Sequence, residues 1–370
     1  MTTPARSVPA TPAASPAPGS CLARDARAEF DPEVVYCNTA TLGLPPRRTI
    51  DALDEALTQW RAGRADAVAF DAVVERARAA YAGLVGVAPT AVAVGSQVSP
   101  LVGLVAASLP SGSEVLCAEG EFTSVSFPFL AQAGRGVRVR EAPLHQLADA
   151  VGPATTLVAV SAVQSADGAL ADLAAIRQAA AEHGARTLVD LTQAIGWLPV
   201  DAGGFDLTVC GGYKWLLAPR GTAFMTLSDE AAAMLLPHAA GWYAGADRWS
   251  SIYGSPLRLA GDARRFDTSP AWHSWVGQAA SLDLLTEVGP QALHAHSVGL
   301  ARRCRLGLGL EPGDSAIVSL PVLPGAAQRL AEADVVASMR AGRLRLSFHL
   351  VNDEADVDTV VRALTGHLAD

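Results

Sequence analysis

RTLVDLTQAIGWLPVDAGGFDLTVCGGYKWLLAPRG, residues 186–221, decides how the rest of this chain is read. Two apolar runs stand in it, RTLVDL (186–191) and DLTVCG (206–211). Strands wetted on one face alternate polar and apolar residues, whereas near-continuous runs belong to strands covered on both faces. The first run carries Asp190 at its end, with Gln193 three residues later, and Lys214 lies in the loop after the second. Adjacent strands ending on one sheet edge bring three such residues into one pocket.

The same kind of run recurs outward as AVAVG (91–95), EVLCAE (114–119), VRVRE (137–141), TTLVAVSAV (155–163) and TAFMTL (222–227). Helical patterns separate them at 71–85, 99–109, 122–133, 144–151 and 170–183. The last stops at Gly184 and starts at Asp172 or the turn before it. This alternation predicts an α/β fold: a three-layer domain on a mainly parallel seven-stranded sheet with right-handed crossovers. Ligands of such sheets bind at the carboxyl ends of the strands. After residue 275 the pattern changes to a helix near 275–308, VSLPVL (318–323), a short helix near 325–332, RLRLSFHL (343–350) and a helix near 353–368. The expected division is a disordered tail over 1–20, a segment over 21–44 that joins a small α+β domain at 275–370, and a large domain over 45–274.

Half of the 370 residues are hydrophobic and 18% are charged, which suits a large buried core. The net charge of −9 comes without a basic stripe, so nucleic acid and anionic membranes are discounted as partners. Cys21, Cys37, Cys117, Cys210 and Cys304 are scattered, odd in number and never spaced as CxxC. That spacing suits neither a disulfide framework nor a zinc site and fits a reducing cytoplasm. Cys117 and Cys210 fall in strand-like runs, as small buried hydrophobes do. There is no run of about 18 apolar residues to span a membrane. Residues 1–20, rich in Pro, Ala, Ser and Thr, lack the apolar centre of a signal peptide.

Of the 28 basic residues, one is a lysine, Lys214; the other 27 are arginines. Arginine stays protonated and forms no Schiff base, whereas a deprotonated lysine amine condenses with an aldehyde. A lone lysine therefore marks chemistry that only an amine performs, unless it survives by chance at an ordinary surface position. Its company favours the first reading. Pyridoxal 5'-phosphate (PLP) chemistry needs a carboxylate at the pyridine nitrogen, so that the ring accepts the electrons of a Cα carbanion. It needs a lysine that carries the cofactor and then moves the Cα proton. It uses a hydrogen-bond donor near the ring hydroxyl, which Gln193 offers. Taken alone, Asp190 also reads as a helix N-cap.

DLTQAIGWLPVD (190–201) and GGYKWLLAPRG (211–221) resemble the class V aminotransferase superfamily of fold-type I PLP-dependent enzymes, which includes cysteine desulfurase-like, kynureninase-like and isopenicillin-epimerase-like proteins. The similarity runs from YCNTATLGLPPR (36–47) to LRLSFHLVND (344–353). It implies that Gly95-Ser96-Gln97 is the turn that binds the cofactor phosphate at a helix N-terminus, where free N–H groups and the helix dipole favour an anion. It implies that Phe122 stacks on the cofactor ring where desulfurases carry histidine. Ser165, with Gln164 as the alternative, falls beside the cofactor hydroxyl, and Tyr213 at the phosphate. Ser269, with Thr268 second, matches a hydroxyl given to the phosphate of the neighbouring subunit, which implies a homodimer with a two-fold interface. Arg345 matches the arginine that grips the substrate α-carboxylate, with Arg343 as the alternative. Trp242, Tyr243, Trp272 and His273 stand near loops that shape the substrate pocket.

The sequence also departs from the family. Cysteine desulfurases carry a nucleophilic cysteine on a loop before the carboxylate-binding arginine, and residues 311–342 contain none. Cys304 lies earlier, in a helix-like stretch. With Phe122 in place of histidine, this argues against persulfide-forming desulfuration and leaves direct expulsion of a β-substituent open. The expected activity is that of an aminotransferase acting at the Cα of a small amino-acid substrate, with a C–S (β-elimination) lyase or an epimerase as alternatives. A non-catalytic scaffold ranks behind these, because it has little reason to keep Asp190, Gln193 and the single lysine. A regulator needs an attached DNA-binding domain, and the Pro-rich tail is not one.

Overall fold

The computed structural model describes Ala23 and residues 25–369. The expected tail and Cys21 lie outside the described residues. After β1 (Val35–Tyr36) come two helices, α1 (Arg47–Arg61) and α2 (Ala69–Leu84). Then follow β2 (Val92–Gly95), α3 (Val98–Ser108), β3 (Glu114–Ala118), α4 (Thr123–Leu130), β4 (Arg138–Ala142), β5 (Thr155–Ser161), α5 (Leu173–His183), β6 (Arg186–Asp190), β7 (Leu207–Gly211), β8 (Ala223–Leu227) and the short helix α6 (Asp229–Met234).

All seven apolar runs become strands of one sheet, in the order β2-β8-β7-β6-β5-β3-β4. From β7 to β4 the neighbours are parallel. β8 runs antiparallel to both β7 and β2, so the sheet is mainly parallel. Every residue of β2, β7 and β8 is buried, which is the physical origin of their unbroken hydrophobicity. One face packs on α2 and the later helix α7 (Trp272–Val288), where Tyr81 stacks on Phe224 at 4.1 Å and Trp275 meets Phe224 edge-on at 5.2 Å. The other face packs on α3 and α4 through residues such as Val105, Phe129 and Val209. These are the expected three layers.

The local signals hold where chain chemistry is strong. Asp172 caps α5 by accepting the Ala175 N–H at 3.0 Å, and Gly184 ends it in the left-handed region at φ 68°. Elsewhere the structure differs from the expectation. Residues 144–151 form only a 3-10 turn at Leu144–Gln146, although Leu147 and Val151 are buried. The helix expected over 275–308 is two, α7 and α8 (Pro290–Gly307), separated at Gly289, which takes φ 81°. Pro290 disfavours a helical residue before it and suits the first position of the next helix. Helix α1 was not foreseen.

Beyond α8 the chain forms β9 (Ile317–Leu320), α9 (Ala326–Glu332), β10 (Val335–Val336), β11 (Ser338–Arg340), β12 (Arg343–Ser347) and α10 (Glu354–Leu364). β11, β12 and β9 make an antiparallel sheet. The chain's beginning returns to it: β1 pairs with β10, and Asn38 bridges to Ser347. No helix among the described residues is long and apolar enough to cross a membrane.

Candidate active site

At the carboxyl ends of β2, β5, β6 and β7 opens a cleft of about 550 Å³, open solvent at its mouth included. Asp190 is the last residue of β6 and Gly211 the last of β7. The loop after β7 folds back tightly. A Cβ at Gly212 would lie 2.2 Å from Thr222 Oγ1, and one at Gly43 would lie 2.0 Å from the Lys214 carbonyl oxygen. Leu217, fully buried, is held at φ 59°, a left-handed conformation that costs a non-glycine residue about 1–2 kcal/mol. The Ser281 hydroxyl secures it through the Leu217 carbonyl at 3.0 Å. Tight packing thus presents Lys214 to the cleft from a strained turn.

Lys214 and Asp190 both line the cleft and are 5% and 4% exposed. Burial lowers the Lys214 ammonium to about 8; the charges of Arg345 and Arg340 push the same way, and Asp190 opposes them. Burial raises the Asp190 carboxyl to about 6, against the Thr192 N–H bond at 2.8 Å and the charge of Lys214. Glu121 adds to the rise. Desolvation dominates both shifts and draws the acid and the base toward neutrality. Lys214 Nζ stands 5.2 Å from the ring centre of Phe122 and 5.6 Å from that of Tyr213.

The structure also brings Gln97, Phe122, Ser165, Gln193 and Tyr213 to the cleft. The carboxamide of Gln193 is fully engaged. Its Nε2 donates to the Ala40 carbonyl at 2.9 Å and to Ser165 Oγ at 3.2 Å, while its Oε1 accepts from the Trp215 indole at 2.7 Å. Gln193 therefore has no N–H left for a ring hydroxyl. Ser165 Oγ also accepts from Arg345 Nη1 at 3.4 Å, so its own O–H is the donor left over. Arg345, buried, donates further to the Ser165 carbonyl and to Thr41 Oγ1 at 2.7 Å. Arg343 turns away, toward Ser319 Oγ at 3.0 Å.

Other expected residues lie elsewhere. Ser96 and Ser269 are exposed and off this cleft. The Thr268 N–H is tied to the Val94 carbonyl at 3.1 Å. Gln164 donates to Glu121 Oε2 at 3.1 Å. Trp242 and Tyr243 pack on each other at 5.2 Å, and Trp272 stacks on Phe70 at 5.2 Å beside His273, none of them on the cleft wall. Cys37, Cys117, Cys210 and Cys304 are all buried away from it.

Several site residues carried no signal that the sequence reading used. Thr192, Ser161, Ser99 and Arg220 line the cleft. Glu121 is buried beneath it, accepting from the Ser161 N–H at 2.9 Å, the Ser161 hydroxyl at 2.6 Å and the Phe122 N–H at 2.8 Å. Arg220 lies within the recognised motif, and its guanidinium stacks 4.6 Å from the Tyr213 ring centre. The donor set suits a flat, anionic aldehyde. An amine able to lose its proton faces the cleft, a buried carboxyl stands at the floor, and the Phe122 ring is 41% exposed at the wall. At one end Gln97 starts α3 without a side-chain cap, so the first N–H groups of that helix stay open to an anion beside Arg220.

Comparison with known proteins agrees with this geometry. Residues 35–318 match the family model "Aminotransferase class-V". The chain is 28% identical to isopenicillin N epimerase of Streptomyces clavuligerus, over 90% of this chain and 95% of that protein. It is 29% identical to the uncharacterized aminotransferase YcbU of Bacillus subtilis, over 87% and 90%. The solved complex of the cystine C-S lyase C-DES with its reaction product cysteine persulfide superposes with a TM-score of 0.82, at 22% identity, over 91% of this chain and 98% of that one. The fold is that of fold-type I PLP proteins. The chain belongs to the class-V aminotransferase family, whose cofactor is pyridoxal phosphate.

Proposed function

We propose that this protein is a PLP-dependent aminotransferase that acts at the Cα of an amino acid, with Lys214 as the covalent anchor of the cofactor. When bound, PLP supplies an electron sink conjugated to Cα. Asp190 holds a proton at the ring nitrogen, and Phe122 covers one ring face. The spare hydroxyl proton of Ser165 goes to the ring oxygen. The amides of Gln97 and α3, the Tyr213 hydroxyl and Arg220 receive the phosphate, with Ser269 of a second copy completing it in a homodimer. Arg345 takes the α-carboxylate in a two-pronged grip. Lys214 Nζ would remove the Cα proton and return it to the cofactor carbon on the other side of the amino nitrogen.

One observation carries the reading: Lys214 is the cleft's single base suited to moving a carbon-bound proton. The other ionisable groups on the wall are Asp190, Tyr213 and Arg220. Asp190 belongs to the ring nitrogen, burial raises the Tyr213 phenol above its usual range, and guanidinium holds its proton. One base on one face suffices to relocate a proton between the two carbons that flank the amino nitrogen. It does not deliver one to the opposite face, as inversion at Cα requires. The absence of any described cysteine from the wall likewise disfavours a persulfide route.

The test is a single-turnover screen of amino acids on the PLP-loaded protein. A keto acid formed stoichiometrically without a second substrate is the expected product. Pyruvate with a released thiol would replace the reading with a lyase, and recovery of the inverted amino acid would replace it with an epimerase.

A further inference from the structure

We infer that Arg340, beside this cleft, is a second carboxylate-recognising group for the substrate, and that the substrate carries a negative charge on its side chain as well as on its α-carboxylate, as aspartate-like and glutamate-like amino acids do. The inference rests on the amino-acid reading proposed above.

The argument starts from the β11–β12 hairpin. Its two-residue turn uses Ala341 at φ 47° and Gly342 at φ 75°. In this register Arg340 lies opposite Arg343, and Ser338 opposite Arg345. Residues directly opposed on an antiparallel pair project to the same face, so three arginines share one face. Like charges so placed repel. Every hydrogen-bond acceptor these guanidiniums reach among the described residues is neutral: serine and threonine hydroxyls and backbone carbonyls.

Their tips then diverge. Arg343 lies back on Ser319. Arg345 and Arg340 converge on one hydroxyl, Thr41 Oγ1, at 2.7 and 3.3 Å. Arg345 is 2% exposed, and its buried Nε has no partner. A guanidinium buried without a counter-ion is costly, which marks it as a receptor for an anion that arrives with the substrate. One carboxylate fills one guanidinium fork. The α-carboxylate on Arg345 leaves the exposed fork of Arg340 beside it, sharing the Thr41 hydroxyl. Two anionic groups separated by a chain of two or three carbons span both. The charges of Arg340 and Arg345 both already reach Lys214, so a doubly charged ligand relieves both at the base.

The experiment is calorimetric titration of the PLP-loaded protein with succinate and glutarate against propionate and butyrate, in wild type, R340Q and R343Q. In parallel, aspartate, glutamate, alanine and leucine are titrated against the cofactor's absorbance. The dicarboxylates are expected to bind at least about tenfold more tightly than the monocarboxylates, as one added charge-assisted pair allows. R340Q is expected to collapse that ratio toward one, and R343Q to keep it. R340E, on the same exposed turn, turns it below one. A wild-type ratio near one, a ratio untouched by R340Q, or an equal collapse in R343Q would overturn the inference. If neutral and acidic amino acids change the absorbance at the same concentrations, the amino-acid reading stands and this inference falls. If no amino acid changes it, both fall.

Discussion

The Trp215 indole N–H donates to Gln193 Oε1 at 2.7 Å, so the residue next to the lysine also fixes the cleft floor. Both groups are buried. Trp215→Phe removes the donor and leaves a buried carbonyl oxygen without a partner, at about 1–3 kcal/mol. Urea denaturation is expected to show a loss of that size. No loss would mean that Gln193 is not held through this bond.

The single lysine makes its own role easy to check. Lys-C protease is expected to cut the denatured chain once, after Lys214. Borohydride reduction of the PLP-loaded protein should abolish that cut and place the cofactor's mass on the peptide spanning residue 214. Lys214→Arg keeps the charge and should lose turnover by several orders of magnitude. A reduced protein that Lys-C still cleaves would refute the covalent anchor.

Asp190 and Lys214 act oppositely on stability as pH changes in the cofactor-free protein. The Asp190 carboxyl, raised from 3.8 to about 6, is the better tolerated in its neutral form. Its contribution is fully present below pH 4 and is lost as pH rises through about 6. Lys214, lowered from 10.5 to about 8, imposes a cost below pH 8 that fades as pH rises toward 10.5. Asp190→Asn should therefore gain on wild type between pH 4 and 6, by up to about 3 kcal/mol, and level off above. Urea midpoints of the two proteins across that range test the sign. A gap that shrinks with rising pH would contradict it.

Phe122 offers its face to the cleft without a hydrogen-bonding role. Phe122→Ala should weaken PLP binding about tenfold, the scale of one aromatic contact. Fluorescence titration of the cofactor into the apoprotein reads this directly. Phe122→His should restore most of the affinity, because an imidazole also stacks.

Much of this was legible in the chain, for reasons that differ by residue. Six of the seven strands were readable because two-faced burial writes nearly unbroken apolar runs, while the edge strand β4, with Arg138 and Glu141 exposed, reads as alternating VRVRE; Asp190 and Lys214 were readable because they stand where such runs stop. Helices α7 and α8 merged in the reading because it passed over Gly289-Pro290, the pair at which the backbone breaks. Glu121, Ser161 and Thr192 were invisible, since each acts through a partner on a different strand or loop. Gln193 was found, but its hydrogen bonds were not: Ala40 and Trp215, which engage it, are distant in sequence or unremarkable in type.

The turn that follows Asn38 and runs to Gly43 has a consequence for how the protein is made. Ala40 meets Gln193 and Ser347, Thr41 meets Arg345, and Gly43 meets Tyr213. The ribosome delivers this turn some three hundred residues before Arg345 and Ser347. Contacts of such long separation form late, after loop closure across most of the chain. A nascent chain stalled before β12 would carry its amine and its acid with no grip for a carboxylate, so carboxylate binding emerges only once β12 has been made.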